Sequence, residues 1–243
     1  MVENVSMSIL QNQHENEYII YDTDIFKDFD DISFSVKNWA SRSSIIGFAE
    51  GRGTTFFVEH QGQELVLRHY KRGGKIAEYI EDKYLWTGLN HTRAWREFNL
   101  LSYMHQCALP VPKPVAAQVN KQGFFYTADL ITLRIRHAHM LLNELLNNTL
   151  EQGHWVSLGA MVKRFHDKGI HHVDLNVKNI LLDDGGRFYL IDFDKCRKRR
   201  VAKFWQQGSI NRLKRSLDKA LVQNPAIEFN PQCWQWFLQG YAG

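Results

Sequence analysis

The segment that most constrains the fold is residues 170–194, in which two short apolar runs flank a turn sequence. Ile180 to Leu182 is apolar, Asp184-Gly185-Gly186 is typical of a tight turn, and Phe188 to Ile191 is apolar again. This pattern predicts an antiparallel β-hairpin. Such a hairpin places the start of its first strand beside the end of its second strand.

Three oxygen-bearing side chains flank that open end of the hairpin. Asp174 and Asn179 precede the first strand, and Asp192 follows the second. Two carboxylates and an amide oxygen suit Mg²⁺, which prefers oxygen ligands and retains some of its water. The sequence therefore predicts a metal site here, with one carboxylate left to accept the proton of a hydroxyl group.

The composition is that of a globular protein, with 243 residues of which 44% are hydrophobic and 23% are charged. That length allows one large domain or two small lobes. We expect neither a membrane-spanning helix, which needs ~20 apolar residues, nor a secretory signal. Cys107, Cys196 and Cys233 are far apart in the sequence, which favours a reducing compartment over disulfides or a zinc site. These features predict a cytoplasmic protein.

The net charge of +4 conceals a strong asymmetry along the chain. Residues 1–31 contain eight acids and one base, whereas residues 195–219 contain ten bases and one acid. A cationic segment of this density attracts phosphate, nucleic acid or an anionic membrane. A solvated helix face is the ordinary explanation of such a run. Here the run begins directly after Asp194, at the predicted site, and this position favours a binding role.

The first half of the chain predicts mainly strands. Residues 1–43 form an N-terminal extension with no assigned role, and residues 47–75 alternate strands with turns. Gly51 and Gly53 lie in one of these turns, where glycine lets the backbone approach a phosphate, although glycine pairs more often mark simple turns. Arg68, on the returning strand, is a candidate phosphate contact, and Arg72 follows it in a cationic turn.

Helices dominate the rest of the chain. Thr92 is a candidate N-cap of a helix whose apolar stripe borders Glu97, so that Glu97 either points inward toward Arg68 or pairs with neighbouring arginines on the helix surface. Helical spacing alone favours the surface position. From about Met140 the pattern is helical, interrupted by the hairpin. Strands followed by helices predict a two-lobed α+β fold.

The motif around the hairpin resembles the catalytic loop and metal-binding motif of the protein-kinase-like superfamily. It reads His172-Val173-Asp174, then Asn179 five positions after Asp174, then Asp192 eighteen positions after it. Within that superfamily, further stretches resemble the 3-deoxy-D-manno-octulosonic acid (Kdo) kinase family of Gram-negative bacteria. These stretches are Leu67–Gly74, Tyr84–Gly88, Thr92–Ala94, Asp174–Leu182 and Ile191–Lys195.

The resemblance implies a protein-kinase-like fold with a β-rich N-lobe over residues 44–128 and a mainly helical C-lobe over residues 129–243. It implies that ATP, with Mg²⁺, phosphorylates the 4-hydroxyl of Kdo on Kdo–lipid A in lipopolysaccharide core biosynthesis. The enzyme would contact the cytoplasmic side of the inner membrane peripherally, and no nucleic acid is expected as a partner.

The resemblance also implies roles for individual residues. His172 shapes the loop backbone, Asp174 and Lys178 are catalytic, and Asn179 and Asp192 bind the metal. The expected nucleotide-binding residues are Gly51, Gly53, Arg68, Glu97 and Asp129. We expect the acceptor to be bound by cations near the site, namely Arg72, Arg134, Arg136, Lys195 and Arg197.

Departures from the common kinase pattern leave alternatives open. Arg68 stands where most kinases have lysine, Asn176 stands where protein kinases have lysine, and Asp194 replaces the final glycine of the metal motif. No Ala-Pro-Glu segment follows, which argues against a regulated protein kinase. The alternatives are a kinase of another sugar such as a core heptose, a kinase of a protein hydroxyl, and a kinase-like nucleotide- or nucleic-acid-binding module without this activity.

Overall fold

The structure is a computed structural model that describes residues 7–49, 55–71 and 82–243. The chain divides into two compact units, each with its own core. The first comprises Met1–Cys107 and Pro112–Arg134, and the second comprises Ala108–Val111 and Ile135–Gly243. Antiparallel sheets and helices are both present, which confirms the α+β prediction. The predicted boundaries after residues 43 and 128 do not coincide with this division.

The first unit is built on an antiparallel sheet, and in its described residues two helices and short 3-10 turns accompany the sheet. The strands are β1 (Ile9–His14), β2 (Glu17–Asp22), β3 (Ile45–Ala49), β4 (Thr55–His60), β5 (Gln63–His69), β6 (Tyr84–Leu85), β7 (Pro114–Gln122) and β8 (Phe125–Leu133), and the helices are α1 (Val36–Ser41) and α2 (Arg93–Gln106). The strand order is β1-β2-β7-β8-β5-β4-β3, and β6 also pairs with β8.

Residues assigned to an N-terminal extension instead contribute to the sheet and its core. β2 pairs with β7 along its length, and β1 pairs with β2. Phe26 and Trp39 are buried in the same core, and Trp39 donates its indole N–H to the carbonyl of Ser33 at 2.8 Å. Aspartates between these apolar residues interrupt the alternation of apolar and polar residues, so the sequence did not indicate a strand here. One of them, Asp22, is itself buried and lies 2.7 Å from Nζ of Lys113.

Helix α2 packs on β7 through the apolar stripe that the sequence predicted. Ala94, Trp95, Phe98 and Leu101 are all buried. The helix begins after Thr92 as predicted, but the Thr92 hydroxyl donates to the carbonyl of Leu89 at 2.7 Å and caps no helical N–H.

The second unit consists mainly of helices around the predicted hairpin. The helices are α3 (Leu141–Leu146), α4 (Gln152–Asp167), α5 (Lys203–Gln223) and α6 (Gln232–Ala242), and the strands are β9 (Ala138–Met140), β10 (Ile170–His171), β11 (Ile180–Asp183), β12 (Phe188–Leu190) and β13 (Arg197–Lys198). Strands β11 and β12 are antiparallel, with Ile180 opposite Leu190, which confirms the hairpin, and β9 pairs with the other edge of β11.

Two glycines allow α4 and α6 to approach each other closely. A Cβ at Gly159 would lie 2.0 Å from the carbonyl oxygen of Phe237, and one at Gly240 would lie 1.9 Å from that of Val156. Both obstacles are backbone atoms, which cannot rotate away. The close packing of α4 on α6 therefore requires glycine at both positions.

Replacing Gly159 with alanine is expected to destabilise the protein by roughly 3 kcal/mol, because the added methyl group must push the two helices apart. Urea unfolding measures the change. Gly153→Ala is the matched control, since Gly153 is in the same helix and a Cβ there would meet no atom within 4 Å. If both variants were equally stable, the close approach of α4 and α6 would be wrong.

Among the residues that the structure describes, no helix has the length and apolarity needed to cross a membrane.

Candidate active site

His172 anchors the loop that enters the hairpin. Its Nε2 lies 3.0 Å from the carbonyl oxygen of Ile191, and its ring meets Phe193 edge to face at 4.9 Å. The ring is 2% exposed, and burial lowers its pKa, so the imidazole is neutral near pH 7 and Nε2 donates to the carbonyl. His172 thereby fixes the residue that directly precedes Asp192, in agreement with its predicted structural role.

Asn176 closes the turn between Asp174 and the first hairpin strand. Its Nδ2 donates to the Asp174 carbonyl at 2.9 Å, and its Oδ1 accepts the backbone N–H groups of Lys178 and Asn179 at 2.8 and 3.2 Å. An asparagine that bonds to the backbone two residues away is typical of a tight turn. Sequence reasoning noted Asn176 only as a departure from the kinase pattern and missed this role.

Asn179 and Asp192 are brought together by the hairpin ladder. The N–H of Ile191 donates to the Asn179 carbonyl at 3.0 Å, so Asp192 leaves the strand beside Asn179. Nδ2 of Asn179 donates to the Asp174 carbonyl at 2.9 Å, which leaves its Oδ1 available as a ligand. The negative charges of Asp192 and Asp174 both act on the His172 ring and raise its pKa, against the larger effect of burial.

This donor set fits Mg²⁺. The described residues contain no group of three His, Cys, Asp or Glu side chains arranged around one point. Mg²⁺ at nucleotide sites is usually held by one or two carboxylates together with substrate phosphates and water. One amide oxygen and one carboxylate, from Asn179 and Asp192, match that pattern.

Helix α5 supports the catalytic loop from the side. Arg212 places Nη1 3.8 Å from Oδ1 of Asp174, and the Ser216 hydroxyl accepts the Val177 N–H at 3.1 Å. From the sequence, the cations of α5 belonged only to the basic segment 195–219, and no site residue was assigned on this helix. The burial of Leu213 fixes which face of α5 packs inward, but nothing in the pattern of α5 alone indicates that Arg212 and Ser216 contact the Asp174 loop.

In the first unit, Arg68 and Glu97 form an ion pair with an N–O distance of 2.5 Å. Glu97 is 4% exposed, so the surface position favoured by helical spacing is wrong. Tyr70 completes the group: its hydroxyl donates to Glu97 at 2.6 Å and accepts from Arg68 at 3.0 Å. Burial, followed by the charge of Glu97, raises the pKa of Tyr70 well above its usual value, so the phenol stays protonated. Tyr70 was missed because no local pattern in the sequence indicates that Glu97 is its partner.

Asp129 lies on β8 opposite His69 of β5. The His69 Nδ1 to Asp129 Oδ1 distance is 2.7 Å, and this hydrogen bond raises the pKa of His69. Nε2 of the same ring is 3.6 Å from Asp82. Asp129 is therefore buried as the partner of a histidine.

The remaining predicted cations lie in different environments. Arg134, in the first unit, is 2.8 Å from Glu64 and lies over the Phe57 ring at 4.2 Å. The other four predicted cations are exposed and lie in the second unit, namely Arg136 in the turn before β9, Lys178 in the Asp174 loop, and Lys195 and Arg197 after the hairpin. Gly51, Gly53 and Arg72 lie outside the described residues.

The antiparallel sheet, the Arg68–Glu97 pair and the Asp174 loop are features of a phosphotransferase with a kinase-like fold. Comparison with known proteins gives the family. A model of the lipopolysaccharide kinase (Kdo/WaaP) family matches residues 36–241. The chain belongs to this family.

Curated relatives are similar over nearly their whole lengths. A 3-deoxy-D-manno-octulosonic acid kinase of Photobacterium damsela subsp. piscicida is 40% identical over 234 residues, which cover 96% of each chain. Kinases with the same name from Mannheimia succiniciproducens and Haemophilus influenzae are 39% and 37% identical, over 96% and 95% of this chain and 99% and 98% of theirs. These relatives support the resemblance found in the sequence.

Proposed function

We propose that this protein transfers the γ-phosphoryl group of ATP to the 4-hydroxyl of Kdo in Kdo–lipid A, a step of lipopolysaccharide core assembly. The observation that carries the proposal is the near full-length similarity to 3-deoxy-D-manno-octulosonic acid kinases together with a complete Asp174, Asn179 and Asp192 motif. A nucleotide-binding module without activity would have no need of all three side chains.

Asp174 orients the acceptor hydroxyl and accepts its proton. The loop holds this residue through its carbonyl, which accepts from Asn176 and Asn179, so the carboxylate is left to face the substrate. Its side chain is half exposed, as access by a large acceptor requires. Lys178, four residues further along the loop, supplies positive charge to the phosphoryl group in transfer.

Asn179 and Asp192 would hold Mg²⁺, which neutralises charge on the phosphates when it is bound. In the first unit, Arg68 contacts the ATP phosphates, and Glu97 and Tyr70 fix the direction of its guanidinium group. Arginine suits this task because its planar fork binds phosphate oxygens in pairs.

The other nucleotide contacts are extrapolated from the family. Gly51 and Gly53 provide backbone N–H groups for the phosphates. Asp129, in the middle of β8, acts near the nucleotide by holding the end of β5 through its bond to His69. Among the acceptor contacts, Lys195 and Arg197 have the exposure that a large anionic acceptor needs, whereas Arg134 is already paired with Glu64.

The basic strip, defined as residues 195–203, makes peripheral contact with the anionic surface of the inner membrane. Residues 197–204 are all exposed; the strip contains Val201, which is 49% exposed, and borders Phe204, which is 91% exposed. Cations beside exposed apolar groups are typical of surfaces that bind anionic lipid.

Reversing two charges of the strip, Arg200→Glu with Lys203→Glu, is expected to weaken binding to anionic liposomes by tenfold or more, since each cation contributes about 1 kcal/mol. Co-sedimentation at low and high salt measures the change. Lys168→Glu, at an exposed position after α4, is the control. If the affinity for anionic liposomes were unchanged by both the charge reversal and the salt concentration, the strip would not be the membrane contact.

The identity of the acceptor is tested by comparing the rates of phosphoryl transfer to purified candidate acceptors. Kdo–lipid A should be phosphorylated in the presence of ATP and Mg²⁺, and chelation of the metal should stop the transfer. Preferential transfer to a heptose-containing core acceptor would assign the enzyme to another step.

A further inference from the structure

An open groove in the second unit lies beside the catalytic loop. Its volume is about 610 Å³, and its lining includes Arg199, Arg212 and Arg215. Arg212 links the groove to the loop, because its Nη1 is 3.8 Å from Oδ1 of Asp174. A group bound in the groove would thus lie within the length of one side chain from the carboxylate that we assign to proton transfer.

The groove is strongly cationic. Its described lining residues include three arginines and neither Asp nor Glu. Burial lowers the pKa of His171, another lining residue, and the charges of Arg199, Arg197 and Arg212 lower it further, so the imidazole adds no positive charge near pH 7. Arg199 lies between two rings: its Nη1 is 3.4 Å from Nδ1 of His171, and its Cζ is 5.8 Å from the centroid of the Trp205 ring. Guanidinium groups in such a site bind carboxylate or phosphate oxygens.

A glycine inside α5 opens the groove. Gly208 precedes Arg212 by four residues and Arg215 by seven, so all three lie on one face of the helix. A Cβ at Gly208 would meet no atom within 4 Å, so packing does not require glycine there. A helix with glycine at an interior position is less stable than the same helix with alanine there. What the glycine provides is open space between the arginines and the exposed ring of Phe204.

We propose that this groove binds an oxyanion of the acceptor, either a sugar carboxylate or a lipid phosphate, through Arg199 and Arg215. Gly208 leaves the space that the acceptor enters. Arg212 is a positioning residue that connects the bound anion to Asp174. This inference rests on the proposed function, because its ligand is the anionic glycolipid acceptor.

The inference is tested by the steady-state kinetics of phosphoryl transfer to deacylated Kdo–lipid A, which removes any contribution of membrane binding. Arg215→Gln is expected to raise the KM for the acceptor about tenfold or more, since it removes charge-assisted hydrogen bonds, and to leave the KM for ATP unchanged. Lys219→Gln, one turn further along α5 and exposed, should change neither constant.

Gly208 provides a second, independent variant. Gly208→Leu is expected to raise the acceptor KM by obstructing the groove, whereas Gly208→Ala should do so far less. Leucine and alanine both favour helix, so both variants should melt at or above the temperature of the unmodified protein. A fall in activity of the leucine variant therefore cannot be attributed to unfolding of α5.

A second acceptor that lacks the lipid phosphates distinguishes the source of the anion. If the effect of Arg215→Gln persists on this acceptor, the groove binds the carboxylate; if the effect disappears, the groove binds a phosphate. Acceptor KM values that stay at the unmodified level for both Arg215→Gln and Gly208→Leu would overturn the inference while the proposed function stands. An unmodified protein that phosphorylates neither acceptor would contradict the proposed function, and the inference with it.

Discussion

Replacing Asp174 with asparagine is expected to lower kcat for phosphoryl transfer by about 10²- to 10⁴-fold, the range typical of removing a general base. Asparagine retains the shape of the side chain and its carbonyl dipole, but it cannot take the hydroxyl proton. The loop geometry should survive, because Asn176 and Asn179 donate to the backbone carbonyl of residue 174 rather than to its carboxylate. The measurement is the initial rate at saturating ATP and acceptor.

Stability should hardly change in the same variant. The carboxylate of Asp174 is half exposed and lies 3.8 Å from Arg212, and an ion pair of that exposure contributes about 0–1 kcal/mol. Arg212→Gln tests the other partner of this ion pair, and it should lower kcat less than Asp174→Asn does. If Asp174→Asn unfolded the protein, or retained its full rate, the assignment of the base would be wrong.

Replacing Asp192 with asparagine is expected to lower kcat/KM by roughly 10²-fold or more, because a carboxylate that would hold Mg²⁺ loses its charge. Asparagine is the informative replacement because the backbone here has a φ of +63°, a conformation that Asn and Asp adopt far more readily than other side chains. Alanine would combine backbone strain with the loss of the ligand. The rate should recover in part as the Mg²⁺ concentration rises, which a fold defect would not reproduce.

Asp184 offers a control for Asp192 within the same hairpin. Its side chain is 73% exposed in the turn at the far end, 4.0 Å from His137. Asp184→Asn should leave both kcat/KM and the Mg²⁺ dependence unchanged. An Asp192→Asn variant with the Mg²⁺ dependence of the unmodified protein would exclude Asp192 as a metal ligand.

The parts of the site that could be predicted are those that depend on residues close together in the sequence. The hairpin follows from two apolar runs and a glycine turn, and it alone places Asn179 beside Asp192. Helix α4 ends at Asp167, and Gly169 follows it with a φ of +72°, the left-handed conformation that favours glycine just after a helix. Neither inference needs information about distant residues.

The partners of Glu97 could not be predicted in the same way. On a helical wheel Glu97 borders the apolar stripe, and its burial depends on Arg68 and Tyr70, which lie 29 and 27 positions away. A buried carboxylate is stable only when such partners satisfy it. Spacing within α2 contains no information about those partners, so the surface position looked more favourable.

The contributions of the N-terminus and of α5 were missed for a related reason. β2 is an apolar run among aspartates, and only its pairing with β7 shows that it belongs to the sheet. Arg212 looks like one more solvated cation until the Asp174 loop is placed beside it. Both contributions depend on packing between residues far apart in the sequence, which hydrophobic periodicity does not reveal.

We propose that Asp174 accepts the proton of a Kdo hydroxyl as ATP donates its terminal phosphoryl group to that oxygen. The most direct test incubates the protein with Mg²⁺, purified Kdo–lipid A and ATP labelled on the γ-phosphorus, alongside Asp174→Asn. We expect one labelled phosphate on the Kdo 4-hydroxyl, located by NMR of the product, and almost none from the variant. Absence of label on Kdo would exclude the proposed reaction, and equal labelling by the two proteins would exclude Asp174 as the base.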